Sequence, residues 1–220
     1  MPFPRGLKEQ VWSFARQMVA DGIARHAQGN ISARDEVSGL IAVTPTAIPY
    51  DRLLIKHIAV VNLDGELVEG EWKPSSELPL HLAFYHSQPE VRAVVHSHAP
   101  YAALFSVTGQ PLPMLLTEAA MLLGGPVPVA PYARPGTQPL ADEAVRIADI
   151  RPAVILANHG LVTVGRDLAA AYDASLAVEA TARTLWMARA MGAGVHEIDA
   201  EEAASLHAAW LKNYHPVKSG

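Results

Sequence analysis

The chain has 220 residues, half of them hydrophobic, with 17 Lys+Arg against 22 Asp+Glu for a formal net charge of -5. That is material for one well-packed domain, and the mild acidity speaks against a nucleic-acid partner, which needs a basic face. Cysteine is absent, which excludes disulfides, thiolate zinc sites, cysteine-ligated iron–sulfur clusters and a cysteine nucleophile; any metal must be held by carboxylates or by some of the ten histidines.

The first residues, Met1-Pro2-Phe3-Pro4-Arg5-Gly6, carry one basic group and no apolar segment behind it, so no targeting signal is read there. No run approaches the roughly eighteen apolar residues of a membrane span. A cytoplasmic protein with no membrane partner is expected. Val11, Phe14, Ala15 and Met18 fall at helical spacing and predict a first helix over 7–21, stopped by Gly22. Gly29-Asn30-Ile31-Ser32 reads as a turn. Leu40 to Thr44 reads as a short buried strand ended by Pro45. Ile58–Leu63 and Glu66–Val68 flank Asp64-Gly65, a strong hairpin-turn signal.

A second helix begins after Ser75-Ser76, tolerates Pro79 in its first turn and ends before Pro89. Ala93 to Ser97 is a strand, with β-branched Val94 and Val95. Val127 to Ala130 is another, and Leu140 to Asp149 is helical. Ala153 to Ala157 is a buried strand, followed by the turn Asn158-His159-Gly160 and a strand over Leu161–Val164. Asp167 caps the longest helix, Leu168 to Met191, and a last helix spans Ala200–Lys212. Helices and strands intermix, but a hairpin breaks the alternation. The fold class is therefore α/β, a layered domain with a mixed, largely antiparallel sheet.

The most informative stretch is His96-Ser97-His98, at the end of an apolar strand. Side chains at i and i+2 of a strand share a face, so His96 and His98 project together. His159 also follows a strand end. Two strand ends in one sheet can converge, and three neutral imidazoles leave an open position on a divalent metal. Taken alone, His159 is equally a turn residue. Glu77 stands at a helix start, where the dipole favours a carboxylate; a general base or a fourth ligand is its functional alternative. His81, one turn on, is taken as a structural or supporting residue. Gly29-Asn30-Ile31-Ser32, Thr44-Pro45-Thr46 and Ser75-Ser76 offer hydroxyls, an amide and backbone N–H groups that can bind an anion without a basic patch. Each is also ordinary turn or cap chemistry.

In chain order the motifs are Gly29-Asn30-Ile31-Ser32, Thr44-Pro45-Thr46-Ala47-Ile48-Pro49-Tyr50, Pro74-Ser75-Ser76-Glu77, His96-Ser97-His98, Gly124-Gly125, Ala130-Pro131-Tyr132 and Asn158-His159-Gly160-Leu161. Together they resemble the class II aldolase/adducin family, in particular its L-fuculose-1-phosphate aldolases, from the first helix through Met191. The resemblance implies a single three-layer αβα domain over 1–220 and a zinc ion held by His96, His98 and His159, with manganese, cobalt or iron as alternatives. It implies Glu77 as the catalytic carboxylate and Asn30, Thr46, Ser75 and Ser76 as binders of a substrate phosphate. It further implies a homotetramer with interfacial active sites, which C-terminal aromatics of a neighbour, such as Trp210 and Tyr214, could complete.

The implied reaction is retro-aldol cleavage of a ketose phosphate to dihydroxyacetone phosphate and an aldehyde, through a metal-stabilised enediolate. Two positions depart from the family's aldolase pattern. Ala47 stands where the phosphate loop has glycine. Glu118 stands where the aldolase has a catalytic tyrosine, and family dehydratases and epimerases carry an acid–base carboxylate in that region. A sugar-phosphate 4-epimerase, a dehydratase, a sugar-acid phosphate decarboxylase and a non-catalytic adducin-like binding module remain the alternatives.

Overall fold

The computed structural model describes residues 5–213. Helix α1 (Arg5–Ala20) leads into strands β1 (Asn30–Arg34) and β2 (Ile41–Val43), and a 3-10 turn at Ile55–His57 precedes the hairpin of β3 (Ala59–Val61) and β4 (Leu67–Glu69). There follow α2 (Leu78–Ser87), β5 (Ala93–Ser97), α3 (Ala102–Thr108), α4 (Thr117–Leu123), β6 (Val129–Ala130) and α5 (Gln138–Ala148). The chain then forms β7 (Ala153–Leu156), β8 (Gly160–Gly165), α6 (Leu168–Ala190) and α7 (Ala200–Asn213).

The described strands join one sheet of eight in the order β4-β3-β2-β1-β5-β8-β7-β6. Its pairings are antiparallel except for β6 with β7. This is the mixed, largely antiparallel sheet that the sequence predicts. Alternation along β5 sends Ala93 and Val95 into one apolar cluster and Val94 into the other, as the two-residue period of a strand requires. The first cluster is closed by α1, α3, α4, α6 and α7, the second by α2 and α5. Both sheet faces are therefore covered, which gives three αβα layers.

Predicted and observed elements agree closely. Asp167 caps α6, its carboxylate accepting the Ala170 N–H at 2.7 Å, and Asp64-Gly65 makes the β3–β4 turn. One expectation is corrected: Asn30 and Ser32 are not in a turn. They belong to β1, which pairs with β5 so that Asn30 lies opposite His96 and Ser32 opposite Val94. The local turn preference of Asn and Ser loses to a strand whose Ile31 and Ala33 are core residues. Helices α3 and α4 also escape prediction, because seven residues each are too few to show a helical period.

Candidate active site

The sheet register builds the site. His96 lies on the same face of β5 as Val94, the face covered by α2 and α5. His98 follows the strand end and is anchored by its backbone N–H to the Ile23 carbonyl at 3.0 Å. His159 sits in the β7–β8 turn, beside Asn158 in the left-handed region at φ 55. Close approach of these segments depends on glycine. A Cβ on Gly160 would lie 2.5 Å from the Ser97 carbonyl oxygen and 3.2 Å from both the His96 and His98 rings. A Cβ on Gly29 would lie 2.5 Å from the His96 carbonyl oxygen. No side chain fits at either position without moving backbone.

The three imidazoles converge, with ligand nitrogens all within 4.8 Å of one another. His96 Nδ1 lies 3.0 Å from the Leu161 carbonyl, which can only accept. Nδ1 therefore carries the proton, and the Nε2 lone pair is free for a metal. That Nε2 lies 3.2 Å from His98 Nε2 and 3.1 Å from Glu77 Oε2. His159 Nε2 lies 3.4 Å from Glu77 Oε1, a buried oxygen with no hydrogen bond. Burial, reinforced by His96, pushes both His98 and His159 down to about 4, so both are neutral near pH 7, the form that ligates. Electron-rich nitrogens and an unsatisfied carboxylate oxygen facing one another call for a positive charge between them. The donor set fits a divalent cation; imidazole ligands suit zinc and several other transition metals, so the set does not choose among them.

Glu77 is the N-cap of α2. Its N–H donates to Ser75 Oγ at 3.2 Å, and its Oε2 accepts from Asn30 Nδ2 at 2.9 Å. Burial opposes its ionisation, yet His96, His159 and the Asn30 N–H hold the carboxyl well below the usual carboxylate range.

A polar cavity of about 220 Å³ opens beside these groups. Asn30, Thr46, Ala47, Ser75, Ser76, Glu77, His98 and His159 line it, with Pro135 and Gly136 on one wall. A bridge between Pro45 and Pro74 holds the Thr46 and Ser75 loops together. Ala47 keeps a left-handed φ of 60 despite its Cβ, a conformation that favours glycine.

The structure does not bring Glu118 into this cavity within one chain. Glu118 is exposed in the first turn of α4, in a recess shared with Asp173 and Leu176. Trp210 lies on α7, stacked over His207, apart from the cavity. Tyr214 lies outside the described residues. Sequence reasoning missed the partnership of His81 with Asn30 and the Pro135-Gly136 wall. It also quoted Tyr50 without a role; the Tyr50 hydroxyl donates to the Gly29 carbonyl at 2.6 Å. The i, i+4, i+8 row Glu77, His81, Tyr85 is the signal that could have found the first of these.

The family described as Class II Aldolase and Adducin N-terminal domain matches residues 9–186, and the chain belongs to it. With the histidine triad and the carboxylate in place, it is an enzyme of that family rather than a binding module that has lost the metal site. It is 34% identical over 186 residues to the 5-deoxy-D-ribulose 1-phosphate aldolase of Bacillus thuringiensis serovar kurstaki, covering 84% of this chain and 86% of that one. It is 28% identical over 211 residues to the L-ribulose-5-phosphate 4-epimerase UlaF of Salmonella paratyphi A, covering 88% and 90%. The solved structure of an L-fuculose 1-phosphate aldolase superposes with a TM-score of 0.89 at 30% identity, over 94% of this chain and 96% of that one. Among the described residues no helix is long and apolar enough to cross a membrane.

Proposed function

We propose that this protein is a cytoplasmic, metal-dependent aldolase that cleaves a fuculose-1-phosphate-like ketose phosphate to dihydroxyacetone phosphate and an aldehyde. The observation that carries this reading is Glu77. It faces His96 at 3.1 Å and His159 at 3.4 Å from a cavity that also presents Asn30, Thr46, Ser75 and Ser76. His96, His98 and His159 would hold the metal, zinc being the first choice. Bound there, the metal supplies Lewis-acid stabilisation of the negative charge that develops on substrate oxygens as the carbon–carbon bond breaks.

The chain's own residues bind, orient and move the proton. The Asn30 amide, the Thr46, Ser75 and Ser76 hydroxyls and nearby backbone N–H groups hold the substrate phosphate. Glu77 takes the proton of the substrate hydroxyl whose carbon leaves as the aldehyde and returns it to the carbon left electron-rich by bond cleavage; in the synthetic direction both transfers reverse. Glu118 lies outside the cavity of its own chain, so in this reading it serves as a second acid–base group from a neighbouring copy in a homotetramer.

The similarity to a 4-epimerase and the carboxylate at Glu118 favour a second reading, epimerisation of a sugar phosphate within the same site. One experiment separates the two. Zinc-loaded protein is incubated with a panel of ketose 1-phosphates and with ribulose 5-phosphate, and products are identified. Release of dihydroxyacetone phosphate from a panel member is expected. An epimer formed without cleavage supports the second reading, and inertness toward the whole panel overturns the substrate class.

A further inference from the structure

Helix α2 and strand β1 meet through matched periods. Glu77, His81 and Tyr85 recur every fourth residue, a step of about 6 Å along a helix. Asn30 and Ser32 recur every second residue, a step of about 6.7 Å along a strand. The two rows interdigitate into one hydrogen-bonded line. Tyr85 Oη lies 2.7 Å from Ser32 Oγ, and Ser32 Oγ lies 2.7 Å from His81 Nδ1. His81 Nε2 bonds Asn30 Oδ1, and Asn30 Nδ2 bonds Glu77 Oε2 at 2.9 Å. His81 and Ser32 are wholly buried, and Tyr85 and Asn30 nearly so.

Donor and acceptor rules fix every proton from one end of this line. The Glu77 carboxylate only accepts, so Asn30 turns its NH2 toward it and its Oδ1 away. Oδ1 only accepts, so His81 Nε2 carries the ring proton. A neutral imidazole protonated there accepts at Nδ1, so Ser32 donates to it and in turn accepts from the Tyr85 hydroxyl. We propose that His81 is a positioning residue whose Nε2–H, selected by Ser32 and Tyr85, locks the Asn30 amide so that it presents N–H groups both to Glu77 and to an anionic group in the cavity. A flipped amide would aim Oδ1 at the carboxylate and at the anion. The neutral amide of Asn30 does not relay protons, so the line orients Glu77 and feeds no proton from the core. This inference rests on the role proposed for Glu77, but the tautomer and the amide orientation do not.

The test begins with ¹⁵N-histidine-labelled protein, metal-free and zinc-loaded, with the His81 signals assigned by their loss in His81→Gln. A His81 ring protonated on Nε2 and bare on Nδ1 is expected, becoming a tautomer mixture in Ser32→Ala. A ring protonated on Nδ1 in the wild type overturns the proposal. The second arm uses inorganic phosphate as the probe. The Gln amide reaches the place of His Nε2, whereas the Asn amide reaches only that of Nδ1. His81→Gln should stay within about threefold of wild-type phosphate affinity and His81→Asn should weaken it about tenfold, the loss expected when a buried partner is removed. Zinc stoichiometry should hold in both. Equal weakening in both variants means a merely structural role and overturns the proposal. If no ketose phosphate is cleaved while both arms hold, the proposed reaction fails and the positioning role stands.

Discussion

Helices α2 and α6 cover the same central strands from opposite faces, and they are joined to the sheet by different chemistry. Helix α6 lays Ala171, Ala174, Val178, Ala182 and Leu185 into an apolar cluster with Ile31, Val95 and Leu161. Its polar contacts with the sheet, such as Ser97 Oγ to Ser175 Oγ at 3.2 Å, are local and short. Helix α2 also buries Leu80 and Phe84, but toward β1 it turns Glu77, His81 and Tyr85. Buried polar groups are costly unless paired, and along this seam they pair in one fixed order until Glu77 Oε1, which is left unsatisfied beside the imidazoles. The apolar seam holds position through shape. The polar seam holds orientation through proton placement, and the unsatisfied Glu77 Oε1 at its end faces the imidazoles. The site is thus built on the seam where a change of one donor is felt.

The largest expected effect is at the end of the polar seam. His98→Ala should lose stoichiometric zinc and about a thousandfold in activity, the several kcal/mol that Lewis-acid catalysis supplies, with the fold intact by circular dichroism. Retained zinc would remove His98 from the ligand set. The opposite seam should separate stability from chemistry. Leu185→Ala on α6 is expected to cost about 2–5 kcal/mol in urea unfolding while zinc stoichiometry stays at one per chain.

The next effect is a pH slope. Burial, with His96 nearby, pushes His81 from 6.5 down to about 3. Between those values the unfolded chain binds a proton that the folded chain refuses. Stability therefore falls as pH drops below 6.5, by up to about 1.4 kcal/mol per pH unit from this residue. The metal-free wild type should lose melting temperature between pH 7 and 5 more steeply than His81→Gln, and equal slopes would mean that the folded ring is charged. The smallest effect is at the phosphate loop. Ala47→Gly relieves a left-handed Cβ and should raise stability by up to about 1 kcal/mol, the strain being partly offset by a freer unfolded chain.

Much of this was legible in the sequence, for identifiable reasons. Ala93–Ser97 stood out because β-branched residues run directly into His96-Ser97-His98, and the i, i+2 rule then put both rings on one side. Glu77 was legible as a helix-start carboxylate after Ser75-Ser76. What stayed hidden was the partner strand. Asn30, Ser32 and Arg34 alternate with Ile31 and Ala33, which is strand spacing, but a polar face is ordinarily read as solvated or turning. Here it is buried against α2, a fact that depends on tertiary pairing. His81 is legible only as a structural or supporting residue, since a lone i+4 neighbour of Glu77 names no partner until Asn30 is known to stand opposite. Glu118 lies on an exposed face of α4, and a helix-start Glu carries no sequence signal that separates a surface residue from a catalytic one.

The most direct measurement is turnover and zinc content of Glu77→Gln beside the wild type, on the panel substrate that the wild type cleaves. Gln keeps the shape of the side chain but cannot exchange the proton. Zinc at one per chain with kcat reduced about 10²- to 10⁴-fold, the range for loss of a general acid–base group, is the predicted result. Turnover equal to the wild type with zinc retained would contradict it and move the proton transfer to another residue.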